Sequence, residues 1–583
     1  MDETKQKTRE SGKNEARRSP SQGGRALIFF FVSAIAVVVR NVGITRGVSQ
    51  RYASSGSDAV AFGPDFRNLD PLTSKPLSVE VQVTTATVSV PAGDEQFVPV
   101  VNNGTVVAKA IEREKAHGRN TSVSEATPLN RAKRVDLSAK ADQGQPTKVQ
   151  KPLNILVLYP DDWRHDSIGG VVPVLRTPFL NKLASKGIRF THNCVTTSIC
   201  WISRATYFTG QYASRHKSDR LKNPYFYNYW NETWPALLQA AGYYTGHVGK
   251  WQYYGLREEF FNYTFQIEGH HWYKDKSYKS RKVHGSDYAK DKAILFLKDR
   301  PKDQPFALNV AFYPPKAVGE SSEPGAQWSP KPESMALYAN DTIPKPHGSW
   351  EKLPWFFQER EKMARTRWRQ RFDGDEKYQV SMKNYYRLIT EVDAAIEKIV
   401  DELNVQGVLN ETMIIFTCDN GFFHGEHGLA GKWYPYQESI RVPLIIHDPR
   451  MPEAKRNTLD DSYTLNIDLA PTILGAAGLS PPPRMQGRDI SDLYLSPSTT
   501  EAQPWRTEFY YEWKLNNGMY FPKATALVRK DFKYIYWPQY KHEQLFDLIN
   551  DELENNDLVN ETQYQKILAD MRERHNELEP TVA

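Results

Sequence analysis

Short apolar runs that end in polar clusters constrain the fold of this chain more than any other feature. The three clearest runs cover residues 154–159, 413–417 and 442–446, and each is apolar along almost its whole length. Runs of this length without a polar face are typical of strands buried on both sides, as in parallel sheets covered by helices. We therefore predict an α/β fold with a large central mixed, mainly parallel sheet flanked by helices.

The segments between and after these runs complete the predicted architecture. Residues 380–403 repeat apolar side chains at three- and four-residue spacing, which predicts a long helix packed in the core. After Ser496 the pattern changes to short strand-like runs separated by turn residues. These runs predict a smaller C-terminal subdomain built on an antiparallel sheet.

The N-terminal region carries targeting signals. An apolar run at residues 26–39 lies between Arg25 and Arg40, a pattern typical of either a cleaved secretory signal or the retained anchor of a type II membrane protein. Seven Asn-x-Ser/Thr sequons suit a chain that passes through a secretory lumen, and they begin at Asn103, Asn120, Asn231, Asn262, Asn340, Asn410 and Asn560. We expect a Golgi or other lumenal type II membrane protein, or a secreted one.

Composition divides the chain into four parts. We assign residues 1–45 to a cytoplasmic tail with the signal anchor or signal peptide, and residues 46–151 to a low-complexity stem or linker in which residues 77–90 alternate like a strand. Residues 152–495 form the predicted main domain and residues 496–583 the C-terminal subdomain. The first 25 residues hold seven Lys and Arg against four Asp and Glu, which is half of the net charge of +6. The remainder is close to neutral, so we expect no binding to nucleic acid.

Two polar clusters follow the first two apolar runs. Asp161 and Asp162 come directly after one run, and Asp419 and Asn420 come after the other. Because sites in such sheets gather at the carboxyl ends of the strands, we expect the four side chains to lie together. Their oxygens suit a hard divalent cation, Ca²⁺ or Mg²⁺, and the alternative interpretation is a set of ordinary turn acids.

Cationic side chains accompany these clusters along the chain. Arg204 lies four residues after Cys200, while Lys250 and Lys432 each stand between a glycine and a tryptophan. Fixed guanidinium and ammonium groups bind tetrahedral oxyanions, so a metal among them suits transfer of a sulfuryl or phosphoryl group. The alternative for either lysine is a solvated surface charge.

The order of these motifs carries a family resemblance. Cys200-Trp-Ile-Ser-Arg204, with Thr209-Gly210 after it, is followed by Gly249-Lys-Trp251 and by the segment 419–428, which reads DNGFFHGEHG. Together they resemble the type I sulfatases, the formylglycine-dependent branch of the alkaline-phosphatase-like superfamily, over about residues 152–575. The resemblance implies the fold of that superfamily and hydrolysis of sulfate esters, with a sulfated carbohydrate or a small sulfate ester as substrate.

The resemblance also implies a role for each candidate residue. The formylglycine-generating enzyme would convert Cys200 to formylglycine, whose hydrate has one hydroxyl to attack sulfur and a second from which sulfate is later released. Arg204 would hold that hydrate, and Lys250 and Lys432 would bind the sulfate. The implied Ca²⁺ ligands are Asp161, Asp162, Asp419 and Asn420.

Three positions depart from the family pattern. Ile202 stands where the modification motif usually has Pro or Ala, which bears on how efficiently Cys200 is converted. Gln252 stands where the family has a histidine after Gly-Lys-Trp, and an amide cannot carry a proton. Lys316 follows two prolines where a second histidine is usual, and we expect it to bind sulfate and, with a depressed pKa, to protonate the leaving alcohol.

Three further features leave alternatives open. Lys432 is a second candidate for the proton donor, and His427 is either a third candidate or a residue with a structural or substrate-orienting role. His270 and His271 either line a sugar subsite or belong to a plain loop. Residues 365–372 interleave arginines with aromatic rings, a pattern that suits either a sulfated polysaccharide or a solvated basic face paired with Glu359, Glu361 and Asp373.

Three functions are consistent with these observations. The leading hypothesis is a sulfatase of a sulfated carbohydrate, and the second is a phosphonate or phosphodiester hydrolase with the same metal and nucleophile. Gln252 and Lys316 motivate a third, in which the chain keeps the fold and binds sulfated glycans with little or no turnover.

Overall fold

The computed structural model describes residues 97–102, 105–110 and 152–583, the last range with gaps at 219–223, 254, 275–277, 280–281, 360–361, 496–503 and 516–520. The chain divides into two units, residues 1–136 and 137–583. In the first unit, strands β1 (Phe97–Asn102) and β2 (Thr105–Ala110) form an antiparallel hairpin within the predicted low-complexity stem. The predicted targeting run at 26–39 and the predicted strand at 77–90 lie outside the described residues.

Eight strands of the second unit form one central sheet. They are β3 (Asn154–Leu158), β4 (Ile188–Cys194), β5 (Tyr244–Gly249), β6 (Tyr263–Gln266), β9 (Phe306–Ala311), β10 (Thr412–Thr417), β13 (Leu444–His447) and β14 (Thr458–Leu465). Their order is β14-β4-β13-β10-β3-β9-β5-β6, and β13 runs antiparallel to both neighbours while the other adjacent pairs are parallel. The predicted mixed, mainly parallel sheet is confirmed.

Helices cover both faces of this sheet. On β3, Leu156 and Leu158 pack into one hydrophobic cluster whereas Ile155 and Val157 pack into the other, because successive side chains of a strand point to opposite faces. The first cluster includes residues of α1 (Pro178–Ser185), α5 (Gly285–Asp299) and α8 (Asp375–Val405). The second includes residues of α2 (Cys200–Thr209), α4 (Trp234–Ala240) and α10 (Leu469–Ala476). Two-sided burial explains why the strand runs lack a polar face.

The C-terminal region forms the predicted antiparallel sheet. Its strands β15 (Glu508–Trp513), β16 (Ala524–Arg529), β17 (Phe532–Trp537) and β18 (His542–Asp547) pair in chain order. Helix α11 (Gln565–Leu578) packs Leu568 and Met571 against this sheet. Leu568, Met571 and His575 recur at three- and four-residue spacing, so one face of α11 is buried and the other is left to solvent.

Short elements complete the second unit. Two further antiparallel pairs are β7 (Trp272–Lys274) with β8 (Lys282–His284), and β11 (Phe423–His424) with β12 (Ala430–Gly431). The remaining α-helices are α3 (Ala213–His216), α6 (Trp355–Glu359), α7 (Met363–Arg371) and α9 (Gln437–Ile440). Within the part of the chain that the structure describes, no helix combines the length and apolar composition required to span a bilayer.

Candidate active site

The two predicted acidic clusters meet at the carboxyl ends of adjacent parallel strands. Asp161 and Asp162 follow β3, Asp419 and Asn420 follow β10, and these strands pair directly. The backbone N–H of Asp162 donates to Asp419 Oδ1 at 3.3 Å, and Asn420 Nδ2 donates to Asp162 Oδ1 at 2.7 Å. All four side chains are buried. The sheet topology therefore assembles four oxygen-bearing groups from positions more than 250 residues apart.

Cys200 is the first residue of α2 and lies against this cluster. Its thiol donates to Asp161 Oδ1 at 3.5 Å. One potential ligand atom each from Asp161, Asp162 and Cys200 lie within 4.8 Å of one another. Cys194, Cys200 and Cys418 are all unpaired and buried, so none of them forms a disulfide. Cys418 also lies 3.5 Å from a cluster carboxylate, Asp419 Oδ1, so what distinguishes Cys200 is its additional contact with the ammonium groups of Lys316 and Lys432.

Arg204 lies one helical turn after Cys200 and is committed to Asp419. Its Nε and Nη2 donate to Asp419 Oδ2 at 3.1 and 2.7 Å, and its Nη1 donates to the carbonyl oxygen of Lys250 at 3.1 Å. Burial alone would lower the pKa of Arg204, but the charge of Asp419 outweighs it and raises the pKa. The arginine therefore orients a cluster carboxylate, and its implied role in holding a formylglycine hydrate stays a prediction.

Three lysines surround the same atoms. Lys432 Nζ lies 2.9 Å from Cys200 Sγ and also contacts Asp162 Oδ1. Lys316 Nζ lies 3.3 Å from the same sulfur and 3.4 Å from both Asp161 Oδ1 and Asp162 Oδ2. Lys250 contacts Asp161 Oδ2. Lys316 is 21% exposed whereas Lys250 and Lys432 are 1% and 3% exposed, so Lys316 is the lysine open to an approaching substrate.

The charges of the cluster shift its pKa values. Burial alone would raise the pKa of Asp162, but Lys316 and Lys432 outweigh burial and hold the pKa well below its usual range. Burial would lower the pKa of Lys316, and here Asp162 and the Cys200 sulfur outweigh it, so the pKa is raised. Burial and the neighbouring Lys316 both lower the pKa of Lys250. The depressed pKa expected for Lys316 is thus wrong, because the charges of Asp162 and Cys200 raise its pKa more than burial lowers it.

The four oxygen-bearing residues fit a hard cation. Three contribute carboxylates, which Ca²⁺ and Mg²⁺ prefer as ligands. Asn420 Oδ1 is buried and has no hydrogen-bond partner among the described residues. An amide oxygen in that state costs free energy unless a ligand satisfies it. Asp161, Asp162, Asp419 and Asn420 could therefore hold a divalent metal.

Gln252 follows β5 and Lys250 at the rim of the cluster. Its backbone is left-handed, with φ of 80°, and its N–H donates to Glu268 Oε2 at 3.0 Å. The side-chain Oε1 is buried without a partner among the residues described. Gly249 before it also has a positive φ, and a Cβ there would collide with the carbonyl oxygen of Ala311. This close approach of β5 to β9 fixes the backbone directly before Lys250, whose side chain contacts Asp161.

His427 makes no contact with the acidic cluster among the residues that the structure describes. Its ring lies against Tyr436, with centroids 5.0 Å apart, and burial lowers its pKa to about 4. The imidazole is therefore neutral at physiological pH and packed in the core. These contacts favour the structural alternative over the proton donor.

His271 supports the loop that carries Lys316, a contact that the sequence did not predict. Its Nδ1 accepts from the N–H of Ser329 at 3.1 Å, which leaves Nε2 to donate to the carbonyl oxygen of Lys316 at 2.8 Å. Both ring nitrogens are thus used to hold backbone, and the side chain is buried. His271 therefore fixes the loop that carries Lys316, and these contacts favour a structural role in that loop over a sugar subsite. No sequence signal connects residues 45 positions apart.

Comparison with known proteins agrees with this geometry. The family model described as Sulfatase matches residues 154–479, and the model described as N-sulphoglucosamine sulphohydrolase, C-terminal, matches residues 425–581. An N-acetylglucosamine-6-O-sulfatase of Bacteroides thetaiotaomicron is 26% identical over 492 residues, which cover 72% of this chain and 85% of the relative.

Two solved structures share the fold. One is a protein in complex with its substrate D-glucosamine-2-N,6-O-disulfate, with a TM-score of 0.64 and 23% identity, covering 74% of this chain and 98% of the other. The second is the phosphonate monoester hydrolase of Agrobacterium radiobacter, with a TM-score of 0.59 and 18% identity, covering 74% and 96%. The Sulfatase match spans more than half of the chain. The chain therefore belongs to the sulfatase family, whose reaction is the hydrolysis of sulfuric esters.

Proposed function

We propose that the protein hydrolyses a sulfate ester of an amino sugar in a sulfated carbohydrate, with formylglycine formed from Cys200 as nucleophile and Ca²⁺ as metal. The observation that carries this proposal is the contact of Cys200 with Lys432 and Lys316 beside the buried carboxylates. The name of the 6-O-sulfatase relative and the sugar disulfate in the neighbouring structure support the substrate class.

Ammonium groups around residue 200 suit a sulfate that carries negative charge. Lys432 and Lys316 already donate toward the side chain of that residue, so both can donate to oxygens of an ester bound against it. Preorganised donors of this kind stabilise the charge that develops in the transition state. Formylglycine, when formed, supplies a hydroxyl that can attack sulfur and a second hydroxyl that later allows sulfate to leave.

Asp161, Asp162, Asp419 and Asn420 would hold the metal. When bound there, Ca²⁺ draws electron density from sulfate oxygens and favours an ionised hydroxyl. The protein's own part is to keep the ligands in place. Arg204 fixes Asp419 through two N–H donors, and Tyr385 donates to the carbonyl oxygen of Asp162 at 2.9 Å.

Lys316 is the residue suited to protonate the departing alcohol. It is the partly exposed lysine of the cluster, and its raised pKa keeps the ammonium charged at neutral pH. An alkoxide that leaves from sulfur is basic enough to accept this proton. The hydrogen bond from His271 to the Lys316 carbonyl holds the loop while the proton moves.

The test combines mass spectrometry with turnover. Full-length protein from a secretory host is digested, and the peptide that contains Cys200 is examined for conversion to formylglycine. We expect conversion, and cleavage of 4-nitrophenyl sulfate and of glucosamine-6-O-sulfate that the Cys200→Ala variant lacks. An intact thiol throughout, with no turnover of either ester, would overturn the proposal. If only a small fraction of Cys200 is converted, the Ile202→Pro variant is measured as well. A higher converted fraction in that variant would show that Ile202 limits the modification.

A phosphonate or phosphodiester hydrolase is the second candidate. The likeness to the phosphonate monoester hydrolase of Agrobacterium radiobacter favours it, because that protein has the same fold. The two candidates differ in the preferred ester. Aryl sulfate and aryl phosphonate are compared at equal enzyme concentration, and a higher kcat/KM for the phosphonate would replace the leading proposal.

We also propose a secretory chain with the four-part organisation inferred from composition. The asparagines of the five sequons in the described part of the second unit are all exposed: Asn231, Asn262, Asn340, Asn410 and Asn560. Exposure is required for an N-linked glycan to be accommodated on a folded surface. Protein from a secretory host should lose mass on treatment with an N-glycosidase, and an unchanged mass would contradict a lumenal route.

A further inference from the structure

Helix α7 carries two arginines on the face that lies beside the candidate active site. Arg367 and Arg371 are four residues apart, so their side chains project from the same side of the helix. Arg369, midway between them, projects elsewhere and is exposed. The basic segment therefore has two faces with different surroundings, which its sequence alone does not separate.

Arg367 lies over a ring next to one site lysine. Its guanidinium carbon is 5.0 Å from the centroid of the Trp433 ring. Trp433 follows Lys432, whose Nζ contacts the Cys200 sulfur. A guanidinium stacked on an aromatic face keeps its N–H groups at the ring edge, where they remain able to bind an anion.

Arg371 also lies over aromatic rings, on the side of the site where Lys316 is located. Its guanidinium carbon lies 5.5 Å from the ring of Trp328 and 5.6 Å from the ring of Phe422. The indole of Trp328 donates to the carbonyl oxygen of Pro315 at 3.0 Å, directly before Lys316. Both arginines thus lie on aromatic rings close in the chain or in space to the two lysines that contact Cys200, without contacting those lysines' ammonium groups in any described hydrogen bond.

Neither guanidinium has a carboxylate partner among the residues that the structure describes. Arg371 Nε donates to Gln327 Oε1 at 2.9 Å, but its Nη1 is buried with no partner among the described residues, and the side chain is 5% exposed. Within the described chain, no carboxylate lies within ion-pair distance of Arg367 or Arg371. The charges of Asp162 and Glu320 reach both only through space.

The positive charges of Arg367 and Arg371 are therefore not neutralised by a paired carboxylate among the described residues. Burial lowers the pKa of Arg371 to about 9, and repulsion from Arg367 adds to that effect. A buried donor without an acceptor costs free energy, and an anion between the two guanidiniums would supply both the acceptor and the charge. The alternative of a basic face paired with Glu359, Glu361 and Asp373 stays a prediction, because residues 360–361 lie outside the described part of the chain.

We infer that Arg367 and Arg371 form an anion subsite that binds a second acidic group of the substrate, a sulfate or a carboxylate other than the ester being cleaved. The inference rests on the proposed function and narrows its substrate class to carbohydrates with at least two anionic groups. An N-sulfate of the same sugar and the carboxylate of a linked uronic acid share this chemistry.

The test compares esters that differ in their second anion. Full-length enzyme with converted Cys200 is assayed on 4-nitrophenyl sulfate, glucosamine-6-O-sulfate, glucosamine-2-N,6-O-disulfate and a 6-O-sulfated N-acetylglucosamine linked to a hexuronate. The variants are Arg367→Gln and Arg371→Gln, with Arg369→Gln on the other face of the same helix as the matched control.

We expect both variants to lose about 10- to 100-fold in kcat/KM on the substrate whose second anion occupies the subsite, the range typical of charged hydrogen bonds. The loss should lie in KM, while turnover of 4-nitrophenyl sulfate stays close to that of the wild type. Selective loss on the disulfate identifies the N-sulfate, and selective loss on the uronate-linked sugar identifies the carboxylate. Arg369→Gln should leave all four substrates unchanged.

An equal loss on all four esters would overturn the inference, because the arginines would then serve the ester site itself. If Arg371→Gln fails to fold, the subsite is tested with Arg367→Gln alone, because Arg367 is only half-buried and its replacement disturbs the core less. If the wild type cleaves no sulfate ester, the proposed function fails separately. Calorimetric titration of glucosamine-2-N,6-O-disulfate and of the uronate-linked sugar into wild type and Arg367→Gln then tests the subsite, and an unchanged Kd for both ligands would refute it.

Discussion

The Nζ of Lys432 lies 2.9 Å from the Sγ of Cys200, closer than the 3.3 Å that separates Lys316 from the same sulfur. Lys432 also contacts Asp162, so one ammonium group joins the candidate nucleophile to a candidate metal ligand. This lysine is buried, whereas Lys316 is partly exposed. On the proposed function, we expect these two lysines to have different tasks, with Lys432 holding the reacting centre and the more exposed Lys316 facing the leaving group.

Replacing Lys432 with methionine should lower kcat/KM for sulfate esters by about 10²- to 10³-fold, as removal of one preorganised oxyanion donor does elsewhere. The long apolar side chain fills the same space but donates nothing. Steady-state kinetics on 4-nitrophenyl sulfate measure the effect, with Lys298→Met, at a lysine 59% exposed, as the matched control. Equal kcat/KM in Lys432→Met and wild type would show that this contact does not serve catalysis.

The sequence was sufficient to predict the encounter of the acidic clusters. Two apolar runs without polar faces predict neighbouring buried strands, and groups that follow the carboxyl ends of parallel strands share one edge. Asp161 and Asp419 illustrate this, because only the strand pairing β3 to β10 is needed to bring them together. The Cys200 to Arg204 spacing likewise follows from one helical turn.

The sequence was not sufficient where an effect depends on several segments at once. The pKa of Lys316 rises because Asp162 and Cys200 converge on it, and the residue type alone suggested the opposite direction. The support of Lys316 by His271 depends on a loop-to-loop contact with no local pattern. The different environments of Arg367 and Arg369 depend on which face of α7 packs inward.

Chelation of Ca²⁺ should abolish turnover without unfolding the protein. In the absence of metal, the carboxylates keep hydrogen-bond donors, since Lys250 contacts Asp161, Lys432 contacts Asp162 and Arg204 binds Asp419. Ca²⁺ should then restore activity and raise Tm, because a ligand at 100 times its Kd stabilises the folded state by about 2.7 kcal/mol. Thermal melts and turnover before and after EGTA measure both effects, and full activity in excess chelator would exclude the metal role.

Gln252→His should introduce an ionisation into the pH profile of kcat/KM. The amide cannot titrate, whereas an imidazole has an unperturbed pKa of about 6.5. The position is already left-handed and its side-chain oxygen is buried without a described partner, so an imidazole meets little new backbone strain. Profiles from pH 5 to 9 for wild type, Gln252→His and the non-titrating Gln252→Asn provide the comparison. If the histidine variant and the wild type have the same profile, residue 252 does not face the reacting groups.

We expect the ionisation of the buried Asp393 carboxyl to lower the free energy of unfolding as pH rises from about 4 toward neutrality. The residue lies on α8, where its carboxyl oxygens accept the N–H groups of Phe179 and Leu180 in the first turn of α1 at 3.0 and 2.8 Å. Burial raises its pKa to about 7 and outweighs these two hydrogen bonds, which act to lower it. The folded protein therefore retains a proton that the unfolded chain releases above an ordinary aspartate pKa of about 3.9.

The stability that this proton contributes is fully present below the unfolded pKa and is lost as pH rises through the folded pKa of about 7. A difference of about three pKa units corresponds to about 4 kcal/mol. Asp393→Asn cannot ionise, so its Tm should fall less between pH 5 and pH 8 than that of the wild type. Some slope should remain because burial also raises the pKa of Glu391 to about 7 on the same helix. Asp375→Asn, at a position 77% exposed at the start of α8, should keep the wild-type slope. Parallel curves for Asp393→Asn and wild type would mean that Asp393 stays ionised in the fold.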